Sequence, residues 1–404
     1  MTTSGNNAAK NSANAKTSEE DGKIPQYLVV IHMFSTCFPH FYPHFSKKID
    51  TRIFLCYYTF MLEILHILTW NVLRCPSGPG SFYCTEDNMR DKTFKTYNEM
   101  IDLLISRGID ISTSSLKSYA KKRLQHEGYY NLINGYKNLF LLPKTHTSDE
   151  DKYKPGTTLN EIYALYNFDR KLRNIFLKNI LIIETNIKSL VSYTFSEKHG
   201  HNNYLIYSNF DMAKRDSNKN ITSLISEIQR QIANRYSDPS ISHYLKSHGY
   251  IPLWVLNNIL TLGTISKFYS LMKQQERQEV SKIFHVSDAE LESFLFYLSK
   301  VRNFCAHGNR LYCFKSKSPI ATVDLHTTLN MVQNASGQYI QGKNDLFAVM
   351  IIFKLLLPKN VFHILVKNVN HELDILRQKL TVLSEKDILN AMGFSSDWKN
   401  KILQ

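Results

Sequence analysis

Arg302, Asn303 and His307 are the residues best equipped to do chemistry. They lie in the string Val301-Arg302-Asn303-Phe304-Cys305-Ala306-His307-Gly308-Asn309-Arg310. Histidine gives and takes protons near neutral pH. Arginine is a permanent cation whose planar fork suits a phosphate. With an amide beside them, these groups suffice for metal-free cleavage of RNA. The arginine holds the scissile phosphate and its developing charge, while the histidine moves a proton to or from the 2'-hydroxyl or the leaving 5'-oxygen. Arg310 is a candidate phosphate contact just beyond, and Lys300 a further cation for RNA on the same segment. Spacing alone is a weak signal, because a chain with 15 histidines brings an arginine and a histidine this close by chance.

A helix must position these groups. Ser287 followed by Glu290 has the form of a capping box, so a helix is predicted to begin near Asp288. Leu291, Phe294, Leu295, Leu298, Val301 and Cys305 recur at three- and four-residue steps and give it one buried stripe. Gly308 can adopt the left-handed backbone that ends a helix, which leaves His307 in the last turn. Five residues of regular helix turn through roughly 140°, so Arg302 and His307 do not share a face. A second copy of the helix, related by a two-fold axis, could complete such a site. Cys305 on the apolar stripe reads as a small core residue rather than a nucleophile.

The string Val301 to His307, followed by Arg310-Leu311, resembles the signature of the Abi family of AbiD/AbiF-like abortive-infection proteins. The core of that family is similar to the HEPN domain with its R-x(4-6)-H ribonuclease motif. Other blocks agree in order. They are Lys95-Thr96-Tyr97 with Ile101 to Leu104, Gly128 to Leu132 with Gly135-Tyr136, Ile162 to Arg173 with Ile183-Glu184, Leu262-Gly263-Thr264, and Met392-Gly393-Phe394 with Trp398. The chain departs from the family in having Gly308 where a second histidine often follows the first. The resemblance implies an all-α fold, a HEPN-like helical bundle with a smaller helical N-terminal region. It implies a phage-defence endoribonuclease that is metal-independent and uses no cofactor, leaving 2',3'-cyclic phosphate ends. The implied catalytic residues are Arg302, His307 and Asn303. Implied partners are RNA, a second copy of the chain, and a neutralising small RNA or antitoxin. A non-catalytic RNA- or protein-binding module is the alternative.

The rest of the chain sets the frame. Its 404 residues are 43% hydrophobic, enough for one large core or two smaller ones. A net charge of +14 points to a polyanionic partner. The six cysteines show no C-x-x-C pair and no zinc spacing, so we expect reduced thiols in a cytoplasmic protein and no metal. Residues 1–23 are polar and read as a disordered tail. Residues 24–90 form an apolar extension of open status. Its stretch Ile53 to Leu73 is nearly long enough to span a bilayer, but Glu63, His66 and Asn71 weigh against a span. Met89 offers a natural start, which would leave the preceding residues as translated upstream sequence.

Residues 91–150 read as a small helical region, and 158–400 as the main helical domain. In the first, Lys121, Lys122 and Arg123 form either an RNA-facing patch or a solvated basic face. Tyr129, Tyr130, Tyr136 and Phe140 are expected to fill the interior, with base stacking as the functional alternative. The second opens with the longest helical signal, Leu159 to about Phe195, expected to break or bend once. Asp169, Arg170 and Arg173 stand one turn apart on it. Glu184 lies in an apolar run, where a carboxylate needs a cation from a neighbouring helix. Glu184 is thus either a plain structural ion pair or, with Arg173, a support of the site. Strand signals are scarce.

Overall fold

A computed structural model describes residues 93–146 and 149–404. The expected tail and apolar extension lie outside the described residues. Lys92–Gln404 form one compact unit, and it is all-α. Among the described residues, extended pairing is confined to isolated bridges such as Asp110 with Thr158.

The axis of the fold is α3, Leu159–His199, reached after α1 (Tyr97–Ser106), α2 (Ser114–Glu127), a π turn (Tyr130–Asn134) and a 3-10 turn (Lys137–Phe140). The expected break in α3 does not occur: the helix runs unbroken over 41 residues. The reason is in its composition, since no glycine or proline interrupts it. Thr158 caps its start by accepting from the Glu161 N–H at 3.2 Å. Gly200, at φ +88°, ends it. Leu165, Leu172, Phe176, Ile180, Ile183, Ile187, Val191 and Phe195 are all fully buried along one stripe. Rising 1.5 Å per residue, such a helix is roughly 60 Å long and can be touched by most of the domain.

Around it pack α4 (Ser217–Asn234), α5 (Pro239–His248), the short α6 (Leu253–Leu256), α7 (Leu262–Leu271), α8 (Gln274–Lys282) and α9 (Asp288–Ala306). Then follow α10 (Asp324–Thr328), α11 (Leu346–Leu356), α12 (Lys359–Arg377), α13 (Glu385–Met392) and α14 (Trp398–Leu403). Helices α9 and α12 lie directly on α3, and α7 packs along α9. Nearly every side chain of α11 is buried, as its all-round apolar sequence requires of a central helix. Its Phe353 ring meets Phe176 of α3 at 5.3 Å.

Two polar clamps close the bundle on α3. Glu161 is only 1% exposed and accepts from the backbone N–H groups of Thr381, Val382 and Leu383, each at 3.0 Å, and from the Thr381 hydroxyl at 2.6 Å. It thereby fixes the turn between α12 and α13. The N-terminal helices are fastened through α2: the Arg123 guanidinium lies 4.0 Å over the Tyr163 ring, and Glu127 accepts from the Tyr166 hydroxyl at 2.7 Å. Among the described residues, no helix is long and apolar enough to cross a membrane.

Candidate functional site

Helix α9 begins and ends where its caps dictate. The Ser287 hydroxyl accepts from the Glu290 N–H at 3.2 Å, and the Glu290 carboxylate accepts from the Ser287 N–H at 2.7 Å. At the other end the Asn309 N–H donates to Phe304 O at 3.1 Å and the Gly308 N–H to Cys305 O at 3.3 Å, with Gly308 at φ +70°. That is the paired bonding of a Schellman cap. Its consequence is positional. His307 becomes the capping residue, exposed at the very tip of the helix, and the chain turns sharply away behind it. Cys305 is buried, and burial pushes its thiol up to about 12, so it serves the core and not nucleophilic chemistry.

The chain beyond the cap is locked to α3 by one carboxylate. Asp169 is 0% exposed. Its Oδ1 accepts from the Tyr312 N–H at 2.7 Å, and its Oδ2 from the Tyr136 hydroxyl at 2.6 Å and the Leu311 N–H at 3.3 Å. Arg173, one turn further along α3, pairs with the same carboxylate. It also donates to the Tyr136 hydroxyl at 3.2 Å and to Asn309 O at 3.1 Å. Burial pushes the Asp169 carboxyl up from its ordinary range, opposed by Arg173 and by these hydrogen bonds. The Tyr136 ring stacks on Tyr312 at 5.7 Å, which seals the network from above.

Next to this lock opens a cleft of about 350 Å³, lined by Tyr130, Asn131 and Asn134 from the π turn, Arg173 from α3, and His307 and Arg310 from the end of α9. Among the described residues that line it, none is acidic. The cleft therefore offers the Arg310 cation, one imidazole and three asparagine amides to a ligand, with the Asp169-paired Arg173 at its wall. That set suits an anion carrying polar groups. Arg310 is held at its rim by donating to Gly135 O at 3.0 Å.

Residues 122–313 match the Abi-like protein family. No curated protein and no solved structure matches the chain. The matched region runs from within α2 to just past the tip of α9, and it contains every residue of the cleft and of its lock.

Within the matched region, the structure brings together only part of the set expected from sequence. His307 and Arg310 meet in the cleft, and Arg173 meets them from α3. Arg302 does not line the cleft. It faces α3, where its Nε stands 4.0 Å from Glu184 Oε2. Glu184 also pairs with Lys188 of its own helix at 2.7 Å. The Arg302–Glu184 contact is a charge pair without a hydrogen bond, since both facing atoms are buried and otherwise unpartnered. One-third of the Arg302 side chain is exposed, and that exposure falls on the rest of the group. Asn303 is exposed on the outer surface of α9. Lys300 lies 4.1 Å over the Phe296 ring and reaches Ser318 at 3.5 Å. On α2, Arg123 is taken up between Tyr119 and Tyr163, while Lys121 and Lys122 are exposed.

Sequence reasoning missed the central place of Asp169 and the outward turn of Tyr130. The first had a signal: a carboxylate four residues before an arginine within an apolar stripe. Tyr130 had none, because its exposure arises from a π turn that no residue spacing announces.

Proposed function

We propose that the protein acts in phage defence by abortive infection, as a HEPN-like, metal-independent endoribonuclease. The observation that carries this reading is the non-acidic cleft at the tip of α9, where an exposed imidazole stands beside two arginines in the part of the chain that matches Abi-like proteins. In the proposed reaction the ribose 2'-oxygen attacks the adjacent phosphorus and loses its proton. The bond from phosphorus to the 5'-oxygen breaks, and that oxygen takes up a proton. The products are a 2',3'-cyclic phosphate and a 5'-hydroxyl. His307 serves the proton transfers, and Arg310 holds the phosphate charge as it develops, while Arg173, paired with Asp169, fixes the backbone beside them.

Arg302 lies against Glu184 and does not line the cleft that holds His307 of its own chain. A homodimer that lays two α9 helices side by side gives Arg302 and Asn303 a place beside the second copy's site. Glu184 then acts as a positioning residue that sets the angle of Arg302.

The test is growth arrest on induced expression, comparing wild type with Arg302→Ala and His307→Ala at matched protein levels, with total RNA examined for new 5'-hydroxyl ends. Arrest and new ends in wild type alone support the proposal. Purified protein should cut RNA in the presence of a chelator; cleavage that needs a divalent metal and leaves 3'-hydroxyl ends refutes the mechanism. RNA affinity without turnover makes Arg302 a helix bridge and the protein a binding module.

A further inference from the structure

We propose that Tyr130 is a stacking platform for one unpaired base, so that the cleft takes a single-stranded RNA nucleotide with its base on Tyr130 and its phosphate on His307 and Arg310. The proposal deepens the RNA reading above and rests on it for the choice of nucleic acid. Its starting point is a contrast within one short stretch. Tyr136 and Phe140 are 2% and 0% exposed, whereas Tyr130, equally aromatic and only six residues before Tyr136, is 78% exposed. The cause is local. Gly128 turns the chain at φ +76°, and Tyr130–Asn134 form a π turn, a rare arrangement that is frequent at functional sites. This turn commits Leu132 and Ile133 fully to the core and sends Tyr130 to the rim of the cleft.

An exposed tyrosine by itself needs no explanation. This one lines a cleft that also holds an imidazole, two arginines and three asparagine amides. A ring face beside cations is the pairing by which proteins hold single strands: the cations track the phosphates, and the aromatic ring takes a base from any sequence. Asn131 and Asn134 line the same cleft, and each carries both a donor and an acceptor for a base edge. A duplex cannot use such a platform, because its bases are already stacked on one another. The cleft, at about 350 Å³, sits at the small end of ligand-sized sites, which run from about 300 to 1,000 Å³.

The experiment measures binding of the full chain to a fluorescein-labelled 2'-fluoro RNA, which lacks the attacking hydroxyl, by anisotropy at fixed salt. Three probes are compared: the single strand, its duplex, and an abasic version. Tyr130→Ala should weaken single-strand binding by about 5- to 150-fold, the range of alanine substitution at stacking sites. Tyr130→Phe should bind like wild type, and neither variant should change duplex or abasic binding. Single-strand affinity unchanged in Tyr130→Ala, an equal loss on the abasic strand, or no single-strand binding by wild type overturns the platform. The ribonuclease reading is separable. Wild-type cleavage with Tyr130-independent binding removes only the platform, whereas Tyr130-dependent binding without 5'-hydroxyl ends removes only the nuclease.

Discussion

Replacing Asp169 by asparagine tests whether one carboxylate holds the site together. The side chain keeps its shape but loses its charge and turns one acceptor into a donor. In the native protein its oxygens receive the Tyr136 hydroxyl and the Leu311 and Tyr312 N–H groups, with Arg173 beside them. The change therefore leaves a guanidinium that is only 7% exposed without a counter-charge. Breaking a buried pair by removing one partner costs about 3–5 kcal/mol. At about 2.1 cal/mol/K per residue, an unfolding unit of roughly 310 residues shifts by about 1.5 °C per kcal/mol, so Tm should fall by about 5–8 °C. Urea denaturation followed by circular dichroism gives the free energy, and a cycle with Arg173→Met isolates the pair. The double variant should lose at least 1 kcal/mol or so less than the sum of the single losses, as coupled neighbours do. A loss below about 1 kcal/mol for Asp169→Asn, or strict additivity in the cycle, refutes the reasoning, since neither fits a charge stranded in the core.

Three further outcomes follow from other sites. His326 is fully buried, with Nδ1 3.1 Å from Val323 N and 3.2 Å from Val323 O and Nε2 2.9 Å from Gly342 O; burial lowers its pKa, outweighing the backbone carbonyls that favour the charged ring. Because the folded value is depressed, the stabilisation is complete above about pH 6.5 and is lost as pH falls through the folded value; denaturation midpoints at pH 7.5 and 5.5 should therefore differ more in wild type than in His326→Gln, and equal differences would remove the assignment. Gly393→Ala should cost more than about 2 kcal/mol in the same assay, because Gly393 sits at φ +79° and a new Cβ would collide with the buried Asp345 side chain; a loss under 1 kcal/mol or so contradicts it. Exchanging exposed Lys121 and Lys122 together for alanine should weaken RNA binding equally across sequences and flatten its salt dependence, by about 0.7 in slope for each phosphate no longer neutralised; an unchanged slope makes them a solvated face.

Much of the local structure could be read from residue types. The capping box at Ser287 and Glu290, the stripe from Leu291 to Cys305 and the stop at Gly308 all act through neighbours within a few positions, so spacing reveals them. The same locality made α3 misleading. Its length suggested a break or bend, yet it holds no glycine or proline, and its buried Asp169, Arg173 and Glu184 each find partners from α9, from the loop beyond it or along α3 itself. The meeting of Asp169 with Leu311 and Tyr312, 142 and 143 residues away, depends on how α9 packs against α3, which no periodicity encodes. Tyr130 fell to the same limit: an aromatic beside apolar neighbours belongs in the core by composition, and only the π turn sends it out.

The positions of these partners along α3 explain why the tip of α9 is a good place for a site. Glu184 engages Arg302 before the helix ends, and Asp169 with Arg173 engages the backbone of residues 309 to 312 after it. Fifteen positions of α3 separate Asp169 from Glu184, roughly 22 Å of rigid helix. One unbroken element thus grips the motif on both sides. His307 and Gly308 lie between the two grips, exposed, with their backbone fixed by the cap. A reactive side chain placed this way keeps its access to solvent while its Cα is held by structure it does not touch, the arrangement that keeps a site in productive geometry. It follows that Glu184→Gln and Asp169→Asn should disturb His307 from opposite directions. Each should reduce RNA turnover more than RNA affinity, whereas loss of Tyr130 should act chiefly on affinity.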